Sequence, residues 1–573
     1  MCPRGWCSAT TPGSGPARNS TSCGWRLLRS KGDGGHQADL IRSVPSYARS
    51  VPIPQAMTPA TCAGMISGVE SAFTARSSDM HRIRLLATAF GAATLLPLAA
   101  IAAPDWPDHL RDDATAFHAA VQASHPGPVD PANPQFAAHL DAGLARALAR
   151  ADGVTDFAGY WWAMREFQAG FDDGHVQLST NDGAPELPTR WPGFLTRWSG
   201  TAHVVATRLD APDLPPVGAR LVACDGIAAE ALAADRIGRV RGRWHLEAQR
   251  VSHGGRLFLD AGDPWAPPPS HCRFAYAGRE KDVALTWRTL DNETLSTHFA
   301  ATRALHGTTT GVRTPTAGQL WIAAASFDAD ADADALNTLL RALDDTARVG
   351  DARQVVLDLR GNGGGSSHWS REIARRLWGD AALAALPPTE SRVDWRVDAA
   401  NLEAIREFGG MLRAQPDPDA ELLHWVEVID RGMSEALARG DELWRHPVDA
   451  EKAAAQVDAR PRALGTGVPV YVLADAGCAS ACLDALDLWL PLGAIHVGGE
   501  TSADTVYMDI RQQPLPSGLA TASIPMKVYR GRSRGHNEPY RPTHAWTGDF
   551  ADESALSAWI AGLAKTAPEA GAR

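Results

Sequence analysis

Apolar residues recur at helical spacing through the first part of the chain that shows any clear period. "AAPDWPDHLRDDATAFHAAVQASHPG" predicts a helix that stops at Pro126-Gly127. "PQFAAHLDAGLARALARADG" predicts a second helix ending at Gly153, and "TDFAGYWWAMREFQAGF" a third ending before "DDGH". From about residue 190 the period changes to short alternating runs such as "HVVATRL", "ARLVACDG", "RFAYAG" and "DVALTWRTL", separated by Pro and Gly, which predict strands. From about 316, buried-strand runs ("QLWIAAASF", "QVVLDLRGNGGG", "VPVYVLAD", "GAIHVGGE") alternate with helical ones ("DADALNTLLRALDDTAR", "HWSREIARRLWG"). That alternation predicts an α/β core with a largely parallel sheet. Residues 381–462 interrupt it with polar helical sequence, too long for a simple connection, and are expected to be a helical insertion that shapes or covers a cleft.

The domains expected are an N-terminal helical domain (104–190), a β-rich module (191–312) and an α/β core (313–573) carrying the insertion. Residues 1–79 lack such periods and are rich in Ser, Gly, Pro and Arg. They hold 8 Lys and Arg against 4 Asp and Glu, whereas the whole chain carries −11, which leaves −15 for the remainder. A net acidic chain without dense basic runs is not expected to bind nucleic acid. We read 1–79 as disordered or as a mis-assigned leader. At Met80 the chain reads "MHRIRLLATAFGAATLLPLAAIAAP": Arg82 and Arg84, an apolar run, then Ala100-Ile101-Ala102. This is the plan of a signal peptide over 80–103, and the run is short for a span of about 20 residues. The expectation is therefore a periplasmic or secreted protein with no membrane span in its mature form. Cys224, Cys272, Cys478 and Cys482 remain after that leader, an even number that permits disulfides in an exported chain. Cys224 and Cys272 share the β-rich module and can pair. A C-x₃-C spacing without a neighbouring C-x₂-C or His pair argues against a metal, and no cofactor is expected.

Three segments carry candidate chemistry. In "YVLADAGCASACLDALDLW", Ser480 stands where a buried strand gives way to a helix. Small neighbours leave room for a carbonyl group, and the Ala481 N–H at the helix start can donate to an oxyanion. Taken alone, the same serine fits a plain helix N-cap. It is not a G-x-S-x-G elbow. In "LDLRGNGGGSS", Gly363, Gly364 and Gly365 allow close backbone approach, and the absence of G-K-[ST] and of G-x-G-x-x-G argues against a phosphate loop. In "FDDGHVQLS", His175 follows an Asp-Gly turn and can act as a base near neutral pH, although a histidine in such a turn is ordinarily structural.

The chain order "DGH", then "DLRGNGGG", then the Ser480 turn and "GGET", with "VGARLVACDGIAAEAL" between the first two, resembles the tail-specific (carboxy-terminal processing) serine peptidase family. The stretch between resembles the corresponding part of PDZ domains, which bind extended peptides by strand addition. The resemblance covers about 104–550. It implies a crotonase-like α/β core, Ser480 as nucleophile, and Gly363, Gly364 and Ala481 as oxyanion donors. One branch of the family uses a lysine downstream of the serine, but "TSADTVYM" has none and Lys527 lies much further on. The histidine-using branch, resembling the tricorn core and retinoid-binding-protein-like members, implies His175 as base with a late carboxylate, here Glu538; Glu500 and Asp504 are rivals and His368 the fallback base. Leu483 stands where many members carry Glu. A Cys478–Cys482 bridge is compatible with the separation of roughly 5.5–6 Å that such bonds prefer, and a cysteine nucleophile is the rival reading. The expected activity is hydrolysis of peptides or unfolded proteins. The alternatives are a degenerate binding protein of the same fold, or an ester or amide hydrolase on the same site.

Overall fold

The computed structural model describes residues 105–302, 307–328, 331–387, 391–415, 418, 420–447 and 460–566. The expected leader (1–79) and signal peptide (80–103) lie outside them, as does part of the expected insertion. The protein is of mixed α/β class.

The first helix, Trp106–Ser124, starts on Asp105, whose carboxylate accepts the Asp108 N–H, with Pro107 in its first turn. Its stripe of Leu110, Ala114, Phe117 and Val121 is fully buried. It shares one core with the helices Phe136–Ala151 and Phe157–Ala169. That core also takes in Tyr507, Ala520, Ala522, Ile524 and Val528. The three helices therefore rest on a sheet supplied largely by the far end of the chain, because an amphipathic stripe needs an apolar partner. In that sheet Ala520–Arg530 is the hub. It pairs antiparallel with Gln177–Thr180, with Arg392–Arg396 and with Tyr507–Pro514.

The second sheet is the core that the strand–helix alternation foretold. Its order is Gly311–Arg313, Gln319–Ala323, Gln354–Asp358, Val470–Ala474, Ile495–Gly498 and His544–Ala545. All pairs are parallel except the first. Gln354–Asp358 and Val470–Ala474 are buried along their whole length, as central parallel strands covered on both faces should be. Their adjacency puts the glycine loop after Asp358 beside the serine turn after Ala474, both at carboxyl ends. A third, antiparallel sheet of Phe194–Trp198, His203–Arg208, Arg220–Cys224, His271–Tyr276 and Arg279–Ala284 forms the β-rich region, where Cys224 and Cys272 are joined by a disulfide. Among the described residues no helix is long and apolar enough to cross a membrane.

The interruption at 381–462 is more than helices. Helices Ala399–Arg413 and Ala420–Arg439 are bracketed by strands Arg392–Arg396 and Leu443–Arg445. These strands pair with each other, and the first joins Ala520–Arg530. The segment is thereby stitched into the first sheet.

Candidate active site

Ser480 holds the N-cap position of the helix Ala481–Trp489, yet its hydroxyl makes no capping bond. Its backbone has φ 54° and ψ −125°, a conformation that costs a non-glycine residue energy and is held here by its surroundings. A plain N-cap serine sits in extended backbone and spends its oxygen on the helix; this one does neither. Cys478 and Cys482, both fully buried, are joined across it with Cα atoms 5.3 Å apart. Leu483 is packed in the core beneath.

The glycine loop is built against this turn. Asn362, fully buried, donates from Nδ2 to Ala324 O (2.9 Å) and accepts the Gly364 N–H at Oδ1 (2.9 Å). Gly364 has φ +100°, and a Cβ placed on it would lie 2.6 Å from the Ser480 Cβ and 2.9 Å from Ala481 N. The expected donors thus divide. The Gly364 N–H is taken by Asn362, so Gly364 contributes closeness rather than a free donor. The N–H groups of Gly363 and Ala481 have no acceptor among the described residues. Asp475 ties the two loops by accepting the N–H groups of Gly361 (3.0 Å) and Gly477 (2.9 Å).

His175 lies in a turn after the third helix, and its side chain is 19% exposed. Its Nδ1 is 3.4 Å from Thr505 Oγ1 and 3.7 Å from Asp173 Oδ1. The single proton of the Thr505 hydroxyl has two acceptors, Asp173 Oδ1 at 2.9 Å and Tyr507 O at 3.1 Å, so the hydroxyl accepts from His175 rather than donating to it. This puts the imidazole proton on Nδ1 and leaves Nε2 a lone pair with no partner among the described residues. Burial alone lowers the affinity of the imidazole for a second proton, but the contact with Asp173 and the charge of Asp504 outweigh it, so the His175 pKa is raised. Burial would raise the Asp173 carboxyl, and the two histidines beside it, His125 and His175, hold it far below the usual range instead.

The segment 502–505 joins both halves. Asp504 Oδ1 accepts the Ser480 N–H (3.4 Å), and the next residue, Thr505, meets His175. Arg534 contacts Asp504, Asp484 and Asp487 together.

The carboxylate beside His175 is Asp173 rather than Glu538. Glu538 Oε2 accepts the Gly535 N–H within its own loop (2.8 Å). That loop nonetheless docks on the histidine turn, since Asn537 donates to Asp172 O (2.6 Å). Of the other candidates, Glu500 pairs with Arg541, Lys527 is buried against Asp509 Oδ2 (2.7 Å), and His368 is exposed at a helix start. No group of acidic, His or Cys side chains able to hold a metal occurs among the described residues.

Residues 320–484 match the model of peptidase family S41. Among solved structures, the chain is similar to mature CPAF (TM-score 0.54, 13% identity, covering 80% of this chain and 97% of that one). It is similar also to mature CPAF complexed with lactacystin (TM-score 0.55, 12% identity, 80% and 98% covered). At these identities the likeness concerns the fold. No curated protein sequence matches the chain.

Proposed function

We propose, from the match of residues 320–484 to the model of peptidase family S41, that this chain is a serine-type peptidase that cleaves peptide bonds with Ser480 as nucleophile and His175 as base. One observation carries the assignment of residues: Ser480 and His175, 305 positions apart, are anchored on the adjacent residues Asp504 and Thr505. In the reaction His175 Nε2 takes the Ser480 proton as Oγ attacks the substrate carbonyl carbon. The oxyanion is received by the N–H groups of Gly363 and Ala481, the latter at the positive end of a helix. The amine leaves with the proton from His175, and water then releases the acyl group by the same route. Asp173 and Thr505 hold Nδ1–H, the role of the third member of a triad.

The substrate is a peptide or unfolded protein, and the region 191–312 is proposed as a PDZ-like module that holds its extended segment. The core is proposed as crotonase-like. Export from a start at Met80 is part of the same reading, supported by two disulfides among the described residues.

Ser480→Ala should abolish hydrolysis of denatured casein while the circular dichroism spectrum stays unchanged; activity surviving that change sinks the proposal. A fluorophosphonate probe should label Ser480 in the parent. A folded protein that is neither labelled nor active belongs to the binding alternative. Because the His175 pKa is raised above 6.5, kcat/KM should decline on its acid side with a midpoint above that value.

A further inference from the structure

Asp173 divides its two oxygens. Oδ1 accepts the backbone N–H of His175 (2.7 Å) and the Thr505 hydroxyl (2.9 Å). Oδ2 is buried, makes no hydrogen bond, and faces Nε2 of His125 at 3.6 Å. His125 is itself fully buried, in the "ASHPG" stretch that ends the first helix. Its Nδ1 accepts the Gly127 N–H at 2.8 Å, and an amide can only donate. The proton of the neutral ring is therefore on Nε2, aimed at Asp173. The ring is stacked on Phe136 (centroids 4.5 Å apart) and edge-on to Tyr507 (4.6 Å), so its plane is fixed by packing. The charged and titratable groups acting on it are Asp173, Asp130 and His536, and burial, the largest influence, keeps it neutral. His175 in turn feels Asp173, Asp504 and Arg243.

We propose that His125 is a positioning residue of the active site: its Nε2–H holds the Asp173 carboxylate so that the other oxygen supports His175 and Thr505. The inference rests on the assignment of His175 as base. A separation of 3.6 Å suits a bond that tightens when substrate fills the site.

The experiment compares full-length His125→Phe, His125→Gln, Asp173→Ala and the His125→Phe/Asp173→Ala pair on fluorescein-labelled denatured casein. Phenylalanine keeps the stack and removes the donor. It should lower kcat about tenfold to a hundredfold with KM nearly unchanged. It should also move the acid limb of the rate profile to higher pH, because a carboxylate deprived of a donor attracts the His175 proton more strongly. Glutamine, which can offer an amide N–H, should recover most of the rate. In the Asp173→Ala background, His125→Phe should cost nothing further. A His125→Phe enzyme with the parent's rate and pH profile overturns the proposal, as does an equal additional loss in the Asp173→Ala background. If the phenylalanine variant does not fold, the glutamine variant decides: a rate within about threefold of the parent supports the role, and a loss as large as that of Asp173→Ala refutes it. An active Ser480→Ala enzyme would instead overturn the peptidase assignment, whatever His125 does.

Discussion

At Gly364 the chain passes so close to Ser480, the proposed nucleophile, that a Cβ would sit 2.6 Å from the Ser480 Cβ and 2.7 Å from Ala479 O, and both are parts of a packed turn. Gly364→Ala should therefore displace Ser480, lowering kcat by about 100-fold, the scale of an ångström-sized misplacement. Its cost in stability should be about 1–3 kcal/mol; kinetics and a urea melt on one preparation separate the two. Asp475 gives the same junction a pH dependence. Burial pushes its carboxyl from 3.8 up to about 6, against the two backbone N–H bonds that favour the anion. A carboxyl raised on folding stabilises the native state fully below its unfolded value and loses that contribution as pH rises through the folded one. Stability should thus fall by on the order of 3 kcal/mol between about pH 4 and pH 6, and Asp475→Asn should flatten that slope in a thermal melt. The placing of the Ser480 turn and the glycine loop at strand ends could be read from sequence, because strand ends and small residues are local signals. The meeting of Asp173 with Thr505 and His125 could not, because it comes from the approach of segments distant in sequence. The one hint was Asp173 itself, two residues before His175 in "DDGH".

The helix that begins at Ala481 carries a cross-link at its first turn, and the two disulfides should behave differently. In the chain-entropy view, stabilisation grows with the length of the closed loop. With separations of 48 and 4 residues, removing Cys224–Cys272 by paired alanines should cost roughly 4 kcal/mol and removing Cys478–Cys482 roughly 2 kcal/mol. The order for activity should be reversed, because only the second bridge spans Ser480, the proposed nucleophile, with its φ of 54°. Equal losses of kcat for both pairs would argue against that. Among elements, the parallel core and the three N-terminal helices were legible because each has its own hydrophobic period. The pairing of Arg392–Arg396 with Ala520–Arg530 was not. It joins strands more than a hundred residues apart, and a five-residue strand whose adjacent Asp394 and Trp395 are both buried shows no alternation to read next to two long helices.

Across the whole molecule, the site is assembled from the turn at 172–175, the loop at 361–365, the turn at 478–482 and the segments at 502–505 and 534–537. Arg534 is the charged pin of this assembly. Its guanidinium is almost fully buried and reaches Asp484 and Asp487 on the helix that follows Ser480 and Asp504 on the segment that also holds Ser480 and neighbours Thr505. Burial alone would lower its proton affinity; the three carboxylates reverse this and keep the charge in place. Removing a buried partner leaves its counter-charges unsatisfied, at a cost of about 3–5 kcal/mol. Asp484 and Asp487 retain 28% and 22% side-chain exposure and can recover some hydration, so Arg534→Met should fall near the lower end of that range. The catalytic effect should exceed what stability explains. Freed from Arg534, Asp504 no longer holds a fixed place between Ser480 and His175, and kcat should drop by about tenfold even where urea melts show the variant fully folded. A folded Arg534→Met enzyme with the parent's kcat would show that the 502–505 segment is held by its backbone contacts alone, such as Ser502 N–H to Cys478 O at 3.0 Å.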